Sequence, residues 1–269
     1  AYSITSDNSA IGVRVVDQSL TKAFNGTFSV SALAASQTLE FSGFSSKNEA
    51  IKNGTINVDF GTWSGGSFTT NTDKSSQAIS VSSSNNTLSG LAASLTAIEG
   101  VNATVTDKGD GTFSLIINSD TGAKNALRLR VTEDSEDPGL SSFDTSSNNS
   151  SKQVVAAQDA QININGVQVS RTTNTVTDLI DGYEFKLNST TSSAATVVAS
   201  TDANLAYSKV KEFVDIYNSV NATIDSLTNK GAEGTEKGIL ARDIVVAGIQ
   251  RELRNLVTSA LPGFEDKSR

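Results

Sequence analysis

Residues 157–187 constrain the fold more than any other part of this 269-residue chain. Apolar and polar residues alternate on both sides of Asn165-Gly166. A type I′ turn needs positive φ at both central residues, so Asn-Gly between two alternating runs predicts a β-hairpin. The apolar residues then share one face of two short strands: Ile162, Ile164, Val167 and Val169.

The second half of this stretch predicts a short helical turn and a third strand. Val176, Leu179 and Ile180 have helical spacing over about one turn. Asp181-Gly182 then reverses the chain into residues 183–187, where apolar and polar residues alternate again. Nothing in this half indicates catalysis.

These residues also carry a resemblance to a known family. The motif A-x-D-A-x-I-x-I-N-G, followed by R-x-x-N-x-V-x-D-x-I-D-G and a strand ending in Lys-Leu, resembles the signature of bacterial flagellar filament cap proteins, the hook-associated protein 2 (FliD) family. Residues 27–34, 213–218 and 237–243 resemble further stretches of that family, in the same order along the chain.

The composition excludes most catalytic chemistry. The chain contains no cysteine and no histidine. It therefore lacks thiolate ligands and nucleophiles, the commonest zinc ligand and the usual general base. We expect a protein that is not an enzyme and that needs no cofactor or metal. The chain also contains no methionine, and we interpret it as an excised or processed piece that lacks the terminal coiled-coil segments of the family.

The charge balance limits the partners. The net charge is −8 and the isoelectric point is near 4.6, which disfavours binding to nucleic acid or to an anionic membrane. No apolar run reaches the length of a membrane span, and no cleavable signal peptide opens the chain.

The pattern before residue 200 is rich in predicted strands. One helix is expected after Thr87, a good N-cap, with Leu88, Leu91, Leu95 and Ile98 on its apolar face. Leu33 interrupts an alternating strand and predicts a bulge or a change of register. Residues 132–153 are acidic and then rich in serine and asparagine, which predicts a solvated loop. The predicted β-rich head domains are 1–46 with 155–200, and an insert at 47–154 that resembles a repeat of flagellin and hook-associated proteins.

From Asp202 the pattern becomes helical and predicts a leg domain over residues 201–269. Apolar residues recur at steps of three and four along a first helix, and a second amphipathic helix begins at about Asp243. We expect two antiparallel helices, and so a multi-domain α+β fold. Packing between the helices is the default role of their apolar faces, and exposed apolar surface would favour assembly. The candidate interface with other subunits or flagellin is Val210, Phe213, Tyr217, Val220, Ile244, Ile249 and Leu253.

The resemblance implies a mechanical function outside the cell. Family members form a ring, pentameric or hexameric, at the distal tip of the flagellum, and they retain exported flagellin and promote its folding and polymerisation. The implied partners are further copies of the chain, flagellin, the hook-associated junction proteins and, at the head, host surface receptors.

Two alternatives remain open at this point. Flagellin or another hook-associated protein would carry long helices at both ends of the chain. A β-sandwich surface adhesin would carry repeated domains of similar length and no helical leg.

Overall fold

The computed structural model describes residues 2–231, 237–241 and 243–258. The α-helices are α1 Leu88–Thr96, α2 Ala203–Thr228 and α3 Ile244–Thr258, and 3-10 helices span Ala123–Asn125 and Leu140–Phe143. The strands are β1 Tyr2–Ser6, β2 Ile11–Val15, β3 Phe24–Ala32, β4 Ser36–Phe44, β5 Gly54–Ser64, β6 Ser67–Thr70, β7 Gln77–Val81, β8 Val101–Asp107, β9 Phe113–Thr121, β10 Ala126–Glu133, β11 Gln153–Val155, β12 Ala160–Ile164, β13 Val167–Arg171, β14 Thr175–Val176, β15 Tyr183–Leu187 and β16 Ala195–Thr201.

The chain divides into a β-rich unit, residues 2–200, and a helical unit from residue 201 onward. The predicted multi-domain α+β class is confirmed by this arrangement and by solved structures of similar fold. In the β-rich unit, two sheets with the strand orders β1-β16-β3-β12-β13 and β14-β15-β2 enclose a smaller core. Two four-stranded sheets enclose a larger core. In the first sheet, β5 is bonded to β10, β6 and β7, and the second has the strand order β11-β4-β9-β8.

The smaller core contains the predicted hairpin. Strands β12 and β13 pair antiparallel across Asn165 and Gly166, whose φ values are +51° and +90°. The prediction of a type I′ hairpin is therefore confirmed. Residues 183–187 also form a strand, as predicted, although this strand pairs with β2 and β14 in the other sheet. Its Phe185 stacks on Phe28 with ring centroids 5.1 Å apart.

The predicted helical turn at residues 176–180 is wrong. Val176 belongs to β14, pairs with Phe185 and is buried in the smaller core. Pairing with β15 buries this side chain as well as a helical turn would, so the period of the apolar residues could not distinguish the two structures.

The larger core follows from alternation along β5. Ile56, Val58 and Phe60 face inward and are almost fully buried. Helix α1 covers one side of this core, and its start is confirmed as predicted, because Thr87 Oγ1 accepts a hydrogen bond of 3.0 Å from the backbone N–H of Gly90.

The chain crosses between the two cores at residues 33–35 and returns near residue 158. The bulge or change of register predicted at Leu33 is instead a break between two strands, since β3 ends at Ala32 and β4 begins at Ser36. Backbone hydrogen bonds join Ala35 and Gln158 in both directions, at 2.9 and 3.1 Å.

The predicted division between the head domains differs from this crossing. Strand β4 was assigned to the first domain, yet its Leu39 and Phe41 belong to the larger core. The pattern of β4 does not show which sheet the strand joins, because both sheets need the same alternation. We therefore propose that the head domains are residues 2–35 with 158–200, and residues 36–157.

The prediction that residues 132–153 form a solvated loop or linker is wrong for part of this segment. Leu140 and Phe143 are buried, and Phe143 contacts the rings of Phe41 and Phe44 with centroids 5.2 and 5.9 Å away. Thr145 Oγ1 accepts a hydrogen bond of 2.8 Å from the N–H of Leu129 at the outer edge of β10. This segment covers an edge strand that would otherwise expose its backbone groups.

Candidate interaction surface

Helix α2 exposes most of its apolar face. Its residues recur at helical spacing, so one side of this long helix is apolar. Val210 is 63% exposed and Phe213 is 53% exposed. Such exposure is high for large apolar side chains, and contiguous exposed apolar surface usually marks an interaction site.

The end of α2 is the part that the rest of the helical unit covers. Ile224 is buried, and the N–H of Leu240 donates a hydrogen bond of 2.8 Å to the carbonyl oxygen of Leu227. Helix α3 contacts α2 here, where Gln250 Nε2 donates to Asp225 Oδ1 at 2.7 Å. The exposed apolar residues of α2 all precede Ile224 in the helix.

Charged residues flank this face. Lys209 bonds to Glu212 at 2.9 Å, and Lys211 bonds to Asp215 at 2.7 Å. Both pairs are well exposed, so each adds little to stability. An apolar centre with a polar rim is the usual anatomy of a protein–protein interface.

The structure places six of the seven predicted interface side chains. Val220 and Ile249 are exposed like Val210 and Phe213, whereas Tyr217 and Leu253 are half-buried. The side chain of Ile244, the first residue of α3, lies outside the described residues. As an interface, this set stays a prediction. The default expectation, that these faces pack within the chain, fails for the four exposed residues.

Sequence reasoning missed four exposed apolar residues of the helical unit. Three of them are on α2 or α3, at the margins of the predicted faces, and one lies between the helices. A search for large apolar residues beside each face would have found the first three. They are Tyr207, Ile216 and Val245 on the helices, and Ile239 between them.

The described residues hold no group of three or more histidine, cysteine or acidic residues that could bind a metal ion. None of the described helices has the length and apolar character needed to cross a membrane. The acidic run at residues 133–137 makes local contacts instead. Glu133 accepts hydrogen bonds from the N–H groups of Gly139 and Ser141, which lower its pKa, and Asp137 bonds to Lys52 at 2.7 Å.

Similarity to known proteins now identifies the family. A family model described as "Flagellar hook-associated protein 2 C-terminus" matches residues 157–267. A crystal structure of the flagellar cap protein FliD D2-D3 domains from Escherichia coli is 30% identical, and the match covers 75% of this chain and 99% of that chain, with a TM-score of 0.64. The chain belongs to the flagellar hook-associated protein 2 family.

Three further relatives also match this chain. The crystal structure of the E. coli FliD D1-D2-D3 domains is 28% identical in sequence and has a TM-score of 0.71. The match covers 96% of this chain and 79% of the FliD chain. Flagellar hook-associated protein 2 of Salmonella typhimurium is 32% identical over 162 residues, 58% of this chain. The protein of E. coli K12 is 28% identical over 206 residues, 73% of this chain.

The chain spans about a third to under a half of these two curated relatives, 34% and 44% of their lengths. Membership of the family favours the first interpretation of the sequence over flagellin and over a β-sandwich adhesin. The names of these relatives describe flagellar proteins and a flagellar cap protein, and none describes a catalytic activity.

Proposed function

We propose that this chain is part of a flagellar filament cap subunit that assembles with copies of itself at the distal tip of the flagellum, outside the cell. There it retains exported flagellin and promotes its folding and polymerisation. Membership of a family that includes the flagellar cap protein FliD of E. coli supports this role. The exposed apolar face of α2 supports assembly through the helical unit.

That face carries the proposal, and its energetics indicate a reversible contact. Full burial of a large apolar side chain contributes roughly 1.5–3 kcal/mol, so a half-exposed one has about 1 kcal/mol left to gain. Several such residues on α2 offer a few kcal/mol in total. Association costs about 4 kcal/mol or more in lost freedom of motion. The face alone therefore supports weak, concentration-dependent contacts, which suits a cap that must shift as each flagellin subunit inserts.

A charge placed on this face tests the proposal. Phe213→Asp should lower the solution mass measured by light scattering at high protein concentration, and it should weaken cosedimentation with flagellin filaments. Ala222→Asp is the matched control, because Ala222 is exposed and nine residues further on, about half a turn around the helix. Both variants should keep the circular dichroism of the unmodified chain, since neither side chain is buried.

Two results would contradict this proposal, the first against the cap role and the second against the apolar face of α2. One is a chain that stays monomeric at every concentration and does not bind flagellin filaments. The other is equal loss of binding in both variants, which would mean that the added charge, and not the apolar face, controls the contact.

A further inference from the structure

Strand β7 leaves part of its outer edge unpaired. Its register with β5 pairs Ile79 with Ile56 and Gln77 with Val58. On the other side of β5, alternate residues of β10 direct their N–H groups away from β5, to side-chain acceptors. Because backbone groups of successive residues in a strand point to opposite sides, this shows which residues of β5 bond to β10 and which bond to β7. The N–H and C=O of Ala78 therefore point away from β5, and no group in the described part of the chain bonds to them.

Side chains cover parts of the other edges near α1 and β10. Three acceptors, on Gln37, Asp144 and Thr145, cover the N–H groups of β10. On β8, Thr96 Oγ1 both accepts from the N–H and donates to the C=O of Ala103, at 3.0 and 3.1 Å. On β7, the amide of Asn85 closes the carbonyl of Ser80 at 3.0 Å, and this cover ends before Ala78.

A groove of about 640 Å³ lies beside this open stretch, within the range of roughly 300–1,000 Å³ typical of binding clefts. Gln77, Ala78 and Ile79 form one wall, and the end of α1 with Ser94, Ala97 and Ile98 forms the other. Phe60 and Ile79 contribute buried apolar side chains to the lining, and most of the other lining residues are polar, including Ser75 and Ser94. A strand edge facing a helix across a groove is a geometry that accepts an added strand.

The charges around the groove favour a basic ligand. Asp73 and Glu99 line it and are exposed. The cation of the groove, Lys74, lies 3.6 Å from the carboxylate of Asp120 and 4.7 Å from the ring centroid of Phe60. Asp120 therefore balances the charge of Lys74, and Lys74 does not neutralise the carboxylates of Asp73 and Glu99.

We propose that this groove binds an extended basic segment of another polypeptide, which adds to β7 as a further strand. The backbone of the segment pairs with Ala78, one of its apolar side chains enters the groove, and its lysine or arginine residues approach Asp73 and Glu99. The proposal does not depend on the cap role, because it concerns residues of the β-rich unit alone.

Titration of the whole chain with a labelled synthetic peptide tests it. The probe is acetyl-Lys-Thr-Val-Thr-Val-Thr-Lys-amide, followed by fluorescence anisotropy, with a second peptide that carries Glu in place of both Lys residues. The lysine peptide should bind at one site and the glutamate peptide at least several-fold more weakly. Ala78→Pro should weaken binding about tenfold, because it removes one hydrogen-bond donor and adds a ring at the docking edge. Proline is tolerated where the N–H of an edge strand points away from its sheet.

Two further variants separate docking from folding. Ala97→Arg narrows the groove and repels the lysine peptide, so it too should weaken binding at least tenfold, without any change in β7. Gln168→Pro is the control, since Gln168 has the same outward position on the edge strand β13, where Ile164 and Val167 close the hairpin. Each variant should retain the circular dichroism of the parent chain.

Three outcomes would overturn the proposal: no binding at millimolar peptide, binding that Ala78→Pro and Ala97→Arg leave unchanged, or equal binding of both peptides. Light scattering would detect a fourth outcome that also overturns it. If Ala78→Pro lowered the mass of an assembly of the chain itself, a second copy would be the occupant and not a separate basic segment. Failure of the cap proposal would instead appear in the Phe213→Asp comparison, which the peptide titration does not involve.

Discussion

Asp59 is a buried charge beside the larger core of the β-rich unit. Its side chain is 3% exposed, and Arg130 donates to both carboxylate oxygens, at 2.7 and 2.9 Å. Arg128 donates to the same carboxylate at 2.9 Å and lies over the ring of Phe68. The hydrogen bond from Arg130 is the largest of the effects that hold the pKa of Asp59 well below its usual range, and burial opposes it.

We expect Asp59→Asn to lower the free energy of unfolding by about 2–3 kcal/mol at neutral pH. Breaking a fully buried ion pair costs roughly 3–5 kcal/mol, whereas an exposed pair contributes less than about 1 kcal/mol. The arginine side chains are 22% and 46% exposed, so water can partly replace the lost carboxylate. The value therefore lies between these limits. For a domain of this size it corresponds to a fall in Tm of roughly 6–15 °C.

The effect should depend on pH with a defined sign. Because the pKa of Asp59 is lower in the folded state than in the unfolded state, the unfolded chain binds the proton more readily. The contribution of the Asp59 carboxylate to the free energy of unfolding is therefore fully present above about pH 4, near the ordinary pKa of aspartate. This contribution is lost as the pH falls further. The difference between the unmodified chain and Asp59→Asn should therefore narrow between about pH 4 and pH 2.

Urea unfolding followed by tryptophan fluorescence measures this directly. Trp63 is the single tryptophan of the chain. It lies on β5 with its Nε1 donating to the carbonyl of Leu127 at 3.0 Å. Asp137→Asn is the matched control, because its ion pair with Lys52 is more exposed and should contribute less than about 1 kcal/mol. Equal losses in the two variants, or a pH-independent difference for Asp59→Asn, would refute the reasoning.

Three further substitutions should destabilise the β-rich unit by separate mechanisms, each measured as a shift in the urea midpoint. Gly166→Ala should cost about 1–2 kcal/mol, because φ is +90° in the hairpin turn, and it should expose the amides of β13 to faster hydrogen exchange. Thr87→Ala should cost about 1 kcal/mol by removing the cap on the N–H of Gly90, with the loss visible in α1 amides first. Gln37→Ala should cost about 2–4 kcal/mol, because the buried amide bonds to the N–H of Leu127 at 2.7 Å and its removal leaves a cavity, whereas an exposed Gln168→Ala should cost almost nothing.

Local chemistry in the sequence predicted the elements whose causes are local. Asn165-Gly166 specifies the hairpin turn, and Thr87 specifies the start of α1, because the required φ angles and the cap depend on adjacent residues. The helical period after Asp202 likewise predicted α2. The apolar face of that helix, and four of the exposed residues in the candidate surface, could be identified from spacing alone.

The features that the sequence could not predict depend on contacts between residues that are far apart in the chain. The sheet that β4 joins depends on pairing with β9, many residues later. The burial of Phe143 depends on the open edge of β10 and on two rings of β4. The open edge at Ala78 is equally invisible in the sequence, because it reflects where the cover from Asn85 stops. Edge strands and their covers are properties of the assembled sheets.

The two units differ in how many of their polar groups and apolar side chains find partners within the chain. In the β-rich unit, buried polar groups such as Gln37 and Asp59 have partners within the unit, and no described buried side-chain nitrogen or oxygen lacks one. Helix α2, in contrast, buries Ile224 and leaves larger residues such as Phe213 in water. Most helical stability in proteins comes from packing of an apolar face and not from intrinsic propensity. A partner that covered this face would stabilise the helix and the assembly together, so in a cap subunit the ordering of α2 and subunit association would be coupled.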